Sequence, residues 1–341
     1  MQGVHGGTDA LGVPAHDFST NRNACGPCPA AVQALQAANS AQYPDPLYSD
    51  LRAQLAAFHG VAQSRIVIGG SSSELIHRLT QHAVRHGACA ITLPQHHYGD
   101  YLQAARIWGL QAYDRAQAVK AQLHWACEPS SPLGAQESMW EGPAAWPCNA
   151  AAPSGAPSWH VLDCAYRPLW LEGTAPQRNL EHFWQLWTPN KALGMTGVRA
   201  AYAIAPVHAV EQELQALRML APSWVVGAHG VAMLQAWVTP AVQQWLAASL
   251  DQLRGWKSQQ LALCEQLDWQ VLSGHQANYM VVKLPAATDM TATHVALRAQ
   301  GIKLRDCASF GLPGHVRLGV LPPTSQAALA KAWVSINDLA A

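Results

Sequence analysis

Between about residues 45 and 235 the chain alternates short apolar runs with amphipathic stretches, and this alternation narrows its fold more than any other feature. The runs at 65–68, 88–93, 122–126, 159–162, 183–187 and 200–204 read as strands. Segments 47–59, 72–86 and 98–108 read as helices. Strand–helix repetition of this kind predicts an α/β fold with a mainly parallel sheet between helices. Helices at 207–220 and 225–238 and a long one across 240–267 follow. The tail reads as strands 269–272 and 279–283, helix 292–300, strands 302–305 and 316–320, and helix 325–339. That order suggests a smaller α+β unit. The expected division is a large domain over 41–235, and a small domain over 1–40 and 236–341 that includes an N-terminal arm. Residues 141–159, rich in Ala, Pro and Gly, read as a surface loop.

The 341 residues carry 21 basic and 21 acidic side chains, so the formal net charge is zero. A neutral chain lacks the basic field that concentrates a polyanion, which argues against a nucleic-acid partner. At 50% apolar residues the chain can bury a core, which argues against disorder. The first residues, Met1-Gln2-Gly3-Val4-His5, have no basic and apolar leader pattern, so a cytoplasmic protein is expected. No charged residue lies between Arg218 and Asp251, but Pro222, Gly227, Gly230 and Pro240 interrupt that stretch. It reads as buried helices, not as a membrane span.

Eight cysteines are too dilute for a disulfide scaffold. Cys25-Gly26-Pro27-Cys28 has the spacing of a thiol redox pair, whose first thiol would be activated at a helix start. The motif follows a polar segment instead of a strand, and Pro29 opens a helix at once, so a packed turn is favoured and a redox module is the remote alternative. His82 and His86, and His96 with His97, have no carboxylate at ligand spacing, and no metal site is expected.

Two segments carry chemistry. Gly69-Gly70-Ser71-Ser72-Ser73-Glu74 lies between a strand and a helix, where backbone amides and hydroxyls suit a phosphate. A capped helix start explains the same residues equally well. The stretch Thr188-Pro189-Asn190-Lys191-Ala192-Leu193-Gly194-Met195-Thr196-Gly197-Val198-Arg199 places a lysine after an apolar strand. Packing explains this poorly, because lysines are seldom buried, whereas a lysine held in a pocket can lose its proton and act as a nucleophile.

That stretch resembles the lysine motif of fold-type I pyridoxal-phosphate enzymes of the class I/II aminotransferase group, and further matches cover nearly the whole chain. The resemblance implies a pyridoxal-phosphate fold with a sheet of the seven-stranded type, the cofactor pyridoxal 5'-phosphate, and a homodimer with composite sites. It also implies that Lys191 binds the cofactor covalently, that Arg199, Ser72 and Ser73 hold its phosphate, and that Thr188 belongs to the cofactor site. Asp163-Cys164-Ala165-Tyr166 is similar to a strand end whose Asp163 faces the pyridine nitrogen and whose Tyr166 meets the ring hydroxyl. Tyr98 would stack on the ring, Tyr43 would reach the phosphate in the neighbouring subunit, and Arg317 would clamp a substrate carboxylate.

Within the group, His5-Gly6-Gly7, Asp17-Phe18-Ser19 and Arg305-Asp306-Cys307-Ala308-Ser309-Phe310 resemble the threonine-phosphate decarboxylases of cobalamin synthesis. The histidinol-phosphate aminotransferases are close to these. The resemblance makes His5, Asn23 and Arg305 candidates near a substrate phosphate or carboxylate. Decarboxylation is thus the first expectation, acting on an amino acid or phosphorylated amino acid, and transamination is the alternative. Two departures stand out. Ser131 occupies the place of the asparagine that meets the ring hydroxyl, and Cys164 replaces an acidic residue.

Overall fold

The computed structural model describes residues 6–115, 117, 121–137, 139 and 158–338. His5 and most of the expected 141–159 loop lie outside the described residues. In chain order the elements begin with β1 (His16–Asp17), α1 (Pro29–Gln36), α2 (Ser49–His59), β2 (Ile66–Gly69), α3 (Ser72–Arg85), β3 (Ala90–Leu93) and α4 (Gly99–Ile107). Then come β4 (Gln111–Asp114), β5 (Leu123–Cys127), β6 (Trp159–Asp163), β7 (Trp184–Trp187), β8 (Ala201–Ile204), α5 (Glu211–Met219), α6 (Ala228–Trp237) and α7 (Pro240–Gln266). The chain finishes with β9 (Gln270–Val271), β10 (Tyr279–Lys283), α8 (Met290–Ala299), β11 (Ile302–Lys303), β12 (Arg305–Asp306), β13 (His315–Gly319) and α9 (Pro323–Asp338).

Seven strands form one sheet in the order β2-β8-β7-β6-β5-β3-β4. Only β8 runs against its neighbours, so the sheet is mainly parallel, as expected. Its central strands are apolar on both faces because helices cover both sides. Ile66 and Ile68 of β2 point into one core, and Val67 points into the other. The first core continues through α6 and α7 to Met280, Val282, Val316 and Leu318, so the large sheet and the smaller C-terminal sheet share one apolar interior. The smaller sheet has the order β12-β13-β10-β9.

Three details differ from expectation. Strand β4 was not anticipated: it is an edge strand with half its residues exposed, and its polar Gln111 and Asp114 give no buried-strand pattern. Residues 302–305 are two strands instead of one. Ile302–Lys303 pairs parallel with β1, whereas Arg305–Asp306 pairs antiparallel with β13, so the chain changes sheets at Leu304. The helix expected from 207 starts at Glu211, after a turn closed by Ala209 N–H on the Pro206 carbonyl.

The N-terminal arm is strapped to the C-terminal third. Asp9 pairs with Arg298 and Lys303, each at 2.9 Å. These cations hold its carboxyl below the usual carboxylate range. Among the described residues, no helix is long and apolar enough to cross a membrane.

Candidate active site

In a mainly parallel sheet the strand ends on one side gather the loops that carry chemistry. Here β2, β5, β6 and β7 deliver their following residues to one cavity of about 1250 Å³. Lys191 and Thr188 reach it from β7, Asp163 and Tyr166 from β6, and Ser72 and Ser73 from β2. Ser131 follows β5, Tyr98 opens α4, and Arg305 and Arg317 enter from the smaller sheet. Arg199 is exposed at the edge of the same cavity.

Asp163 sits at the floor, 4% exposed. Burial raises its carboxyl pKa, while the Lys191 charge, the Tyr101 hydroxyl and the Ala165 amide counter that shift. Tyr101 donates to Oδ2 at 2.8 Å and Ala165 N–H to Oδ1 at 2.9 Å. The Tyr101 ring is fully buried and stacks on Trp125, 4.8 Å between centroids and 10° from parallel. Lys191 Nζ lies over the Tyr166 ring, 4.8 Å from its centre.

The Gly-Ser turn is a capped helix start, and it also lines the cavity. Ser71 caps α3 by accepting from Glu74 N–H at 3.0 Å. Ser72 is thereby left to the cavity with its hydroxyl unpaired, while Ser73 donates its own to Asp100. Ser73 Oγ meets Asp100 Oδ2 at 2.5 Å and Tyr98 Oη at 3.5 Å. Burial raises the Tyr98 hydroxyl pKa, so the ring is a neutral face.

Arg305 and Arg317 are direct cross-strand partners. Each is under a tenth exposed. Burial lowers the Arg305 guanidinium pKa, and the neighbouring Arg317 charge adds to it. Two like charges held side by side call for an anion between them. Arg317 Nη1 donates to Ser131 Oγ at 3.4 Å, and Arg305 lies over the Phe310 ring at 4.6 Å.

Two expected residues are not at this cavity. Asn23 is fully buried and its amide is spent: Nδ2 donates to the Ala192 carbonyl at 3.0 Å and to Ser249 Oγ at 2.7 Å, and Oδ1 accepts from Cys25 N–H at 3.0 Å. It pins the arm to the Lys191 loop, which corrects the expected contact with substrate. Tyr43 is 76% exposed and stacked on Trp224 at 4.3 Å, away from its own chain's cavity.

The thiol reading fails on its physical chemistry. Cys28 is completely buried at the start of α1, and burial pushes Cys25 up to about 11, the reverse of an activated thiol. Among the described residues no cluster of His, Cys, Asp and Glu could hold a metal.

Sequence reading missed Tyr101 and Asn21. Tyr101 looks like an ordinary helix aromatic, and its role depends on β6 lying beneath α4. Among the described residues, three buried polar atoms that line this cavity have no partner: Ser72 Oγ, Asn21 Oδ1 and Arg317 Nε. Buried polar atoms are rarely left unpaired in a folded protein, so three in one cavity mark a ligand site. A hydroxyl beside exposed amides, a buried carboxylate, a lysine over a tyrosine and an arginine pair fit an aromatic phosphate with a basic ring nitrogen, together with an anionic substrate.

Comparison with known proteins gives the family. The family model for aminotransferase class I and II matches residues 14–128 and 186–336. A histidinol-phosphate aminotransferase of Hyphomonas neptunium is 27% identical, over 93% of this chain and 88% of the relative. The structure of the Sinorhizobium meliloti histidinol-phosphate aminotransferase in complex with pyridoxal-5'-phosphate superposes with a TM-score of 0.72 at 20% identity, covering 93% of this chain and 90% of that one. The L-threonine-O-3-phosphate decarboxylase of Porphyromonas gingivalis gives 0.70 at 17%, covering 91% and 94%. The chain belongs to the class I and II aminotransferase family, whose members are pyridoxal-phosphate enzymes.

Proposed function

We propose that the chain is a pyridoxal-phosphate-dependent aminotransferase of the histidinol-phosphate type, acting on a small phosphorylated or carboxylated amine. The observation that carries this reading is the convergence of Lys191, Asp163 and Tyr166 with the unpaired Ser72 hydroxyl in one cavity. The name of the Hyphomonas neptunium relative supports transamination over the decarboxylation expected first. At 17% identity, the decarboxylase structure speaks for the fold alone.

In this reading Ser72 and Arg199 hold the cofactor phosphate, Ser73 and Thr188 turn their hydroxyls to it from their bonds to Asp100 and Asn190, Tyr98 covers one ring face, and Asp163 faces the ring nitrogen. When bound, the cofactor supplies an electron sink for the bond broken at the substrate's α-carbon. Lys191 anchors the cofactor and then moves the proton at that carbon. Tyr166 receives the ring hydroxyl. Arg317 binds one substrate anion bidentately, and Arg305 binds a second or shares the first. How Arg317 orients a carboxylate decides whether C–H or C–C faces the sink, so the same side chains serve either reaction. Tyr43, exposed and remote from its own cavity, serves a second copy of the chain in a homodimer.

The test is product analysis. With histidinol phosphate and 2-oxoglutarate the protein is expected to form glutamate, and Lys191→Ala to form none and to lose the visible absorbance of covalently held cofactor. Release of CO2 from L-threonine-O-3-phosphate without glutamate formation would replace the transaminase by the decarboxylase.

A further inference from the structure

Asn21 has no assigned part in the site, yet it lines the cavity and is only 2% exposed. Its Nδ2 donates to the Tyr166 hydroxyl at 3.4 Å, and its Oδ1 has no partner. The residue is held firmly. Asn278 Nδ2 donates to the Asn21 carbonyl at 3.3 Å and to the Arg22 carbonyl at 3.1 Å, and Gly319 N–H donates to the Phe18 carbonyl at 2.7 Å. The backbone around Asn21 is held in this way, while its side chain keeps a second N–H for an acceptor and an unpaired Oδ1 for a donor, which suits a ligand instead of packing.

Ser131 is already engaged elsewhere. Its hydroxyl accepts from Arg317 Nη1 at 3.4 Å. Its loop is fixed by Tyr279, which donates to the Ser130 carbonyl at 2.7 Å. The ion pair of Glu128 with Arg167 at 3.2 Å pins the start of the same loop. A serine side chain also reaches one bond less far than an asparagine and offers one O–H in place of two N–H donors. The Tyr166 side of the cavity therefore takes its side-chain amide from the N-terminal arm.

Resting on the pyridoxal-phosphate reading above, we propose that Asn21 supplies the amide contact to the cofactor's ring hydroxyl that Ser131 does not make, and that it orients Tyr166 for the same task. Each N–H of Nδ2 has a target in this arrangement, Tyr166 for one and the ring oxygen for the other. The N-terminal arm thereby becomes part of the cofactor site, and the ring contact depends on the small domain that holds the arm.

The experiment compares wild type, Asn21→Ala, Ser131→Asn and the double variant, all as full-length protein. Pyridoxal phosphate affinity is read by fluorescence, and the pH midpoint of the bound cofactor's visible band by absorbance. Losing one hydrogen bond to a charged oxygen is expected to weaken binding about tenfold in Asn21→Ala. The band midpoint should move upward, because an N–H donor stabilises the ring oxygen as an anion. Ser131→Asn placed on Asn21→Ala should restore both readings, which a purely structural role for Asn21 would not allow. If Asn21→Ala leaves affinity and midpoint unchanged, or if the double variant stays as impaired as the single one, the proposal is wrong. Should Asn21→Ala fail to fold, Asn21→Ser takes its place under the same criteria. Wild type that develops no visible band with pyridoxal phosphate would overturn the functional reading itself, a separate outcome.

Discussion

Asp163 is a carboxylate in a dry place, and its charge depends on the donors around it. Burial raises its pKa, and the Lys191 charge and the Tyr101 hydroxyl oppose that. Tyr101→Phe removes one of those donors while keeping the stack on Trp125. A hydrogen bond to a charged group contributes about 1.5 kcal/mol or more, so cofactor affinity should fall at least about tenfold, measured by equilibrium titration. Unchanged affinity would mean that the Ala165 amide and Lys191 suffice. Lys191 stood out in the sequence as a lysine following an apolar strand, whereas Asp163 and Tyr166 were expected only from a family resemblance; the fold brings all three to one cavity. Asn21 and Asn23 were not separable in the sequence. They are two residues apart, and only the fold sends one amide to the cavity and the other to Ala192 and Ser249.

At the scale of elements, the Cys25–Cys28 turn is a packing piece for the Lys191 loop. Cys28 N–H donates to the Leu193 carbonyl at 2.9 Å, and Asn23 N–H to the Lys191 carbonyl at 2.8 Å. The two backbones meet at glycines. A Cβ on Gly194 would lie 2.8 Å from the Asn23 carbonyl oxygen and 2.8 Å from Gly26 Cα, and its φ of +69° already disfavours a side chain. Gly194→Ala should therefore cost about 1–3 kcal/mol in backbone strain alone, read by urea unfolding. It should also lower cofactor occupancy, because the loop that bears Lys191 must shift. The loop after β5 shows a related economy. Glu128, fully buried, pairs with Arg167 at 3.2 Å and Arg178 at 3.6 Å, tying the Ser131 loop to the segment that carries Tyr166. The split of 302–305 between two sheets could not be read from its apolar pattern, because strand partners lie far away in sequence.

At the scale of the whole molecule, three histidines make the fold sensitive to acid. Burial lowers His59 to about 4, His124 to about 4 and His160 to about 3, and His124 and His160 stack at 4.6 Å across β5 and β6. All three are neutral in the folded chain at pH 6, while the unfolded chain begins to bind protons below about 6.5. Stability is thus fully present above that value and is lost as pH falls from about 6.5 towards about 4. A thermal melt should show Tm falling over that window. His160→Gln should flatten the slope, and a slope identical to wild type would assign the acid lability to other groups. Protonating either member of the stacked pair also places a cation against its neighbour, so the two should not titrate independently.

The sequence by itself determined the α/β class and the mainly parallel sheet, because these rest on local periodicity, and it set apart the Lys191 stretch and the Gly-Ser turn by their short spacing; Asp163 was expected only from a family resemblance. Only the tertiary structure decided which donors meet. The cross-strand pairing of Arg305 with Arg317, the Tyr101 hydroxyl on Asp163 and the Asn21 amide beside Tyr166 each join residues distant in sequence. Register and packing set those distances, and neither is encoded in any one segment.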